Sequence, residues 1–159
     1  MDFEYPSTTF PARPSVAVTL PDSFEPLVSA SVMLGARDTA SPPYFFANLV
    51  VICTRVVNDM TLDETAADLR AKTSSEYPDA RMSETEHAVI SGLDALTTIT
   101  AMRPANVGFD IEQTQTVIFV PTANVRVRDL LQLHASYAAD TRDRYAGLFL
   151  DAVRSIRIT

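Results

Sequence analysis

The chain has 159 residues, 47% hydrophobic and 21% charged, with a net charge of −7 and a sequence pI near 4.7. That length fits one domain of ordinary globular composition, large enough to bury a core without disulfide or metal staples. The acidic balance opposes nonspecific attraction to nucleic acid or to an anionic membrane surface, because both need a basic face.

Residues 1–14 read as an extended arm, since Pro6, Pro11 and Pro14 each disfavour helix in the residue before them. The rest, 15–159, reads as a single domain. Ser-Val-Ala-Val-Thr-Leu at 15–20 is strand-like, and Pro21-Asp22 makes a turn. A second short apolar piece spans 24–34 and ends near Gly35, and a polar loop over 36–43 closes on two prolines. The strongest strand covers 45–57; its β-branched, nearly unbroken middle predicts burial on both faces. Thr61-Leu62-Asp63-Glu64 is a capping box that opens a helix, with Leu62, Ala66, Leu69 and Thr73 as a modest apolar stripe and Pro78 beyond its end.

A short strand is expected over 84–90, followed by a turn at Ser91-Gly92. Residues 95–103 alternate, with Leu96, Thr98, Thr100 and Met102 on one side. Strands over 111–120 and 128–138 flank a hairpin turn at 121–124. The last of them puts Leu131, Leu133, Ala135 and Tyr137 on one face and Gln132, His134 and Ser136 on the other. Short connections make these three strands an antiparallel meander. Asp140 or Thr141 is placed to cap a final helix. Its residues Tyr145, Leu148, Phe149, Ala152, Val153 and Ile156 recur at helical spacing, with Arg144, Asp151, Arg154 and Arg157 opposite. Strands, helix, meander, helix predicts an α+β fold with a central, largely antiparallel sheet and two main covering helices.

Signals for chemistry are sparse. Four glycines stand too far apart for a phosphate-binding loop, and no nucleophile elbow occurs. The expected catalytic set is therefore none, and no cofactor is implied. His87 and His134 belong to different strands, and no metal-ligand spacing is present. A site built on His134 and a distant carboxylate is the enzymatic possibility that spacing alone leaves open. Asp63 and Glu64 are accounted for by capping, and Glu84 and Glu86 by alternation on an edge strand. Cys53, the one cysteine, reads as a small buried hydrophobe. Twelve arginines against one lysine, Lys72, read as codon usage rather than bidentate recognition.

Two features offer binding surfaces instead. Thr98, Thr100, Gln113, Gln115, Gln132, His134 and Ser136 share one face of the meander, either as the lining of a polar groove or as the solvent side of the sheet. Pro42-Pro43-Tyr44-Phe45-Phe46 sets aromatics beside a proline loop, either as a partner anchor or as strand entry into the core. The candidate partner-binding residues are Tyr44, Phe45, Gln115, Gln132 and His134.

A layout of motifs then becomes recognisable. Leu20-Pro21-Asp22-Ser23-Phe24 follows a short strand, a polar loop leads into the strand at 49–57, and the first helix ends in Tyr77-Pro78-Asp79-Ala80. Ile90-Ser91-Gly92-Leu93-Asp94-Ala95 precedes Thr114-Gln115-Thr116-Val117-Ile118-Phe119-Val120, and a helix closes the chain. This resembles the LpqN/LpqT-type family of the PsbP-like superfamily over about residues 15–159. The resemblance implies a PsbP-like α/β/α sandwich and a non-enzymatic accessory or binding protein. It implies a protein partner, with a secretion or membrane-complex component as one form, and no nucleic acid. The alternative it leaves is a carrier holding a lipid or other small apolar ligand between the sheet and the C-terminal helix. Many members are exported lipoproteins, whereas a related cytosolic branch, DcrB-like and effector chaperones, shields hydrophobic client segments. Residues 1–10 show neither a basic n-region nor an apolar h-region, and no lipobox follows. No apolar run approaches membrane-spanning length, so no membrane insertion is expected. The expectation is a cytoplasmic protein if Met1 is the native start and an envelope-associated one if the chain is trimmed.

Overall fold

Alternating apolar residues build a sheet with two different faces, and the computed structural model describes it for residues 4–159. In chain order the elements are β1 (Val16–Ala17), β2 (Phe24–Pro26), β3 (Leu34–Asp38), β4 (Asn48–Val57), α1 (Leu62–Glu76), β5 (Arg81–Met82) and β6 (Glu86–Ile90). They continue with β7 (Leu93–Met102), β8 (Ile111–Pro121), β9 (Val127–Ala138), α2 (Arg142–Arg154) and β10 (Arg157–Ile158). The main sheet has the order β2-β3-β4-β9-β8-β7-β5, with β6 also on β7, and every pairing is antiparallel. β1 and β10 form a separate two-stranded ladder. The protein is an α+β sandwich: α2 covers one face of the sheet and α1 part of the other.

The α2 side is sealed. Leu49, Val51, Leu131, Leu133, Ala135 and Tyr137 from the central strands meet Tyr145, Phe149, Ala152, Val153 and Ile156, all buried. Tyr137, Tyr145 and Phe149 lie nearly parallel with centroids 5.8–6.1 Å apart, and Phe24 meets Phe149 edge-on at 6.0 Å. Above this stack the polar groups are satisfied in series. The Ala47 N–H donates to Ser41 Oγ, Tyr145 Oη lies 2.9 Å from that hydroxyl, and Tyr145 donates onward to the buried Asp38 at 2.7 Å. Three aromatic rings occupy space between the sheet and the C-terminal helix, where the carrier alternative places its ligand. An apolar cleft of about 530 Å³ lies instead at the sheet edge, lined by Val18, Leu20, Phe24, Leu27, Val32 and Leu34 among others.

The capping box at α1 forms as expected. The Glu64 N–H donates to Thr61 Oγ1 at 3.1 Å, and the Thr61 N–H donates to Glu64 Oε2 at 2.7 Å. The cap expected for α2 does not form. A 3-10 turn over Ala139–Thr141 leads into the helix, Thr141 turns its hydroxyl back to the Ala138 carbonyl, and Asp140 accepts from Tyr44 instead.

Several boundaries differ from the sequence expectation. Residues 36–38 are strand rather than loop, and Gly35 permits it: a Cβ there would stand 2.4 Å from the Leu27 carbonyl oxygen. The strand expected from residue 45 begins at Asn48, and Arg157 belongs to β10 rather than to the helix. The described part of the arm has no helix or ladder. It is held by side chains: Arg55 donates to the Pro11 and Ala12 carbonyls, and Arg13 reaches Asp129 at 3.0 Å. Residues 1–3 lie outside the described part.

Candidate functional site

The sheet face that carries α1 is only half covered. α1 packs on β7 and β8, where Ala66, Leu96, Val117 and Leu130 are buried together with flanking Leu62, Leu69, Val56 and Phe119. A helix is about 10 Å across and strands are spaced about 4.8 Å apart, so one helix shields about two strands. Most of β4 and β9 falls outside that strip, and only Val56 and Leu130, near one end, join the cluster.

The sequence-predicted polar residues meet there. Gln115 on β8 lies opposite His134 on β9, and His134 lies opposite Val50 on β4. Gln132 sits between Ile52 and Val117. Gln115 donates to Gln113 at 2.7 Å, and Gln113 donates to Ser136 at 2.9 Å. Gln113, Gln115, Gln132 and His134 are half-buried, whereas Thr98, Thr100 and Ser136 are buried. Thr100 Oγ1 is buried with no hydrogen-bond partner. The face is thus neither a closed groove nor a freely solvated surface. Between Asn48 and Leu130, no residue that β4, β8 and β9 place on it is an acid, a lysine or an arginine. Charge returns at the rim, where Arg37 pairs with Glu25.

Tyr44 and Phe45 are not part of this face. They sit in the loop before β4, where both rings meet Phe109 edge-on at 5.2 and 5.8 Å, and Tyr44 donates to Asp140 at 2.6 Å. That hydrogen bond, with some desolvation, raises the Tyr44 pKa. The aromatic bordering the open face is Phe46, 38% exposed, with the Arg37 guanidinium carbon 5.1 Å from its ring centroid. In the sequence Phe46 stands with Tyr44 and Phe45 as either a partner anchor or strand entry into the core. Its alternation with Asn48 and Val50, all on one side of the chain, was the signal available.

Other solved structures share this architecture. LpqN of Mycobacterium tuberculosis, involved in cell envelope biogenesis, matches with a TM-score of 0.77 at 18% identity, over 94% of this chain and 86% of that one. PA94 of Pseudomonas aeruginosa, a protein of unknown function considered a candidate regulator, matches with a TM-score of 0.63 at 13% identity, over 87% and 94%. The cyanobacterial PsbP of Synechocystis sp. PCC 6803 matches with a TM-score of 0.57 at 18% identity, over 91% and 93%. The chain has the PsbP-like, LpqN-like fold. No protein-family model matches the chain, and no curated protein matches it in sequence.

Within this PsbP-like frame several ionisable groups are committed to structure. Arg55 grips the buried Asp129 through Nε at 3.0 Å and Nη2 at 2.8 Å. Glu112 is held by Tyr137 and Arg142. Burial works to raise the Asp38 pKa, but hydrogen bonds led by that from Tyr145, with the Arg144 charge, outweigh it and hold the carboxyl below its usual value. Burial, helped by the Asp129 charge, pushes the Cys53 thiol up, which keeps it protonated and unreactive. His87 and His134 stand on β6 and β9 with β7 and β8 between them. Among the described residues, no group of three or more His, Cys, Asp or Glu side chains is arranged to hold a metal. No helix among them is long and apolar enough to cross a membrane.

Burial alone lowers the His134 pKa, so the folded protein keeps this imidazole neutral below the pH at which the unfolded chain takes up a proton. The associated stability is fully present above the unfolded value of about 6.5 and declines as pH falls from there to the folded value. Urea midpoints measured from pH 7.5 to pH 5 should fall for the native chain. The slope should be shallower for His134→Gln; an unchanged slope in the variant would exclude His134 as its source.

Proposed function

We propose that this protein is a non-catalytic accessory module that docks a protein partner across the open half of its sheet. The observation that carries this reading is the uncharged strip over β4 and β9 beside α1. In a chain that is 21% charged, half-buried Val50, Ile52, Gln132 and His134 form a neutral centre with charged groups at the rim. Depletion of charge at the centre and its return at the rim is how protein interfaces are built. Gln115, Gln132 and His134 supply oriented polar groups, and Phe46 supplies a rigid aromatic edge. The likeness to LpqN supports a cell-envelope setting for the partner. Tyr44 and Phe45, tied to Phe109 and Asp140, shape the neighbouring loop.

A photo-crosslinking residue placed at Gln132 in the native host should yield a discrete adduct. The same residue at Asp151, 82% exposed on the outer side of α2, should not. Ile52→Glu should abolish the Gln132 adduct while leaving the fold intact. No adduct at Gln132, or equal adducts at both positions, would sink the reading.

The edge cleft favours a second reading, a carrier of an apolar ligand. Its volume of about 530 Å³ falls within the range of ligand pockets, and its walls are mostly aliphatic, with the Phe24 ring and the polar Glu25 and Ser29. Native mass spectrometry of freshly purified protein should then show a bound mass that Leu34→Trp displaces; bare protein alone would remove this reading.

A further inference from the structure

At the far end of the α1-side face, away from His134, a cleft of about 300 Å³ opens between the β8–β9 hairpin and the chain leaving β4. Its walls are Phe119, Pro121, Val125 and Val127, with Asn58, Thr122 and Arg128 as polar groups. Arg128 lies with its guanidinium carbon 3.5 Å from the centre of the Phe119 ring. Its Nε and Nη2 are buried and have no hydrogen-bond acceptor. Other arginines near the core are answered by acids: Arg55 by Asp129, Arg144 by Asp38 and Arg142 by Glu112. Arg128 has no such acid among the described residues. A guanidinium with shielded, unanswered donors carries a desolvation cost, and a bound anion offsets it.

We infer that this cleft is a binding site for a carboxylate carried on a short apolar group. Arg128 is the one cation among the residues lining the cleft, which suits a monoanion rather than a phosphate. A planar carboxylate matches the guanidinium edge. The apolar walls accept a few carbons, and the volume is at the small end of ligand pockets. Asn58 donates through Nδ2 to the Val125 carbonyl, which leaves its Oδ1 as an acceptor for a ligand N–H. Val125, 84% exposed at the lip, would be covered by the ligand. Two sources share this chemistry: a small free carboxylic acid, and a polypeptide C-terminus ending in an aliphatic residue.

The test is a titration of the full chain, followed through the methyl signals of Val125 and Val127. Probes are sodium butyrate, N-acetyl-Gly-Val with a free carboxylate, and its C-terminal amide. Saturable shifts with butyrate, with the free-acid peptide, or with both are expected, and the pattern identifies the source. The amide should give none. Arg128→Gln should weaken binding about tenfold or more, as the loss of a charge-assisted hydrogen bond predicts. Because Arg128 is partly buried, Val125→Asp serves as the second variant. It should repel the anion to a similar degree with an unchanged melting temperature. No shift at millimolar probe, equal binding of the amide, or full affinity in both variants would overturn the site.

Discussion

Phe149→Ala should lower the unfolding free energy by about 3–5 kcal/mol. The ring is fully buried and touches three others: Tyr137 at 6.0 Å, Tyr145 at 5.8 Å and Phe24 edge-on at 6.0 Å. Removing it leaves a void that the sheet cannot collapse into, because Leu133 and Ala135 are fixed in ladders on both sides. It also loosens Tyr145, whose hydroxyl joins Asp38 to Ser41. Urea unfolding checks the value. A loss below about 1 kcal/mol would mean that α2 repacks on the sheet, contrary to the tight stack described.

Asp129→Ala should cost about 2–4 kcal/mol and free the N-terminal arm. Asp129 is 1% exposed and receives Arg55 through both oxygens and Arg13 through one. The two arginines are partly exposed, so the cost is below that of breaking a wholly buried pair. Arg55 also holds the Pro11 and Ala12 carbonyls, so its misplacement releases the arm. Limited proteinase K digestion should therefore cut within residues 7–13 faster in the variant, well before global unfolding. Arg13→Ala, which removes the more exposed partner, should cost less than about 1 kcal/mol. Equal effects of the two substitutions would show that Asp129 is not the hub of the latch.

The long periodic elements were legible in the sequence because period and burial agree in them. β7, β8, β9 and α2 each alternate or recur cleanly, and Thr61 with Glu64 marks the start of α1 by local chemistry alone. β5, β10 and most of β3 were not legible. Two-residue strands carry no period, and β3 includes Arg37 and Asp38, whose polarity reads as loop. Asp38 is buried only because Tyr145 and Arg144, more than a hundred residues later, satisfy it.

The candidate site was half legible. Alternation assigned Gln115, Gln132 and His134 correctly to one face. It carried no information on which part of that face α1 covers, because coverage depends on where a 15-residue helix lands on a much wider sheet. Phe46 was missed because entry into a strand resembles entry into a core. Arg128 was missed because the absence of an acid partner is a property of three-dimensional packing.

The β1–β10 ladder has a mechanical consequence. Val16 faces Ile158 and Ala17 faces Arg157, with Ser15 and Thr159 bonded just outside, so both strand ends leave the ladder at the same side. Tension applied between them loads one rung at a time, as in a zipper, rather than all rungs together in shear. This clasp would part at low force while the long β4–β9–β8 ladders stayed closed, and the main sheet would bear load only after it had opened.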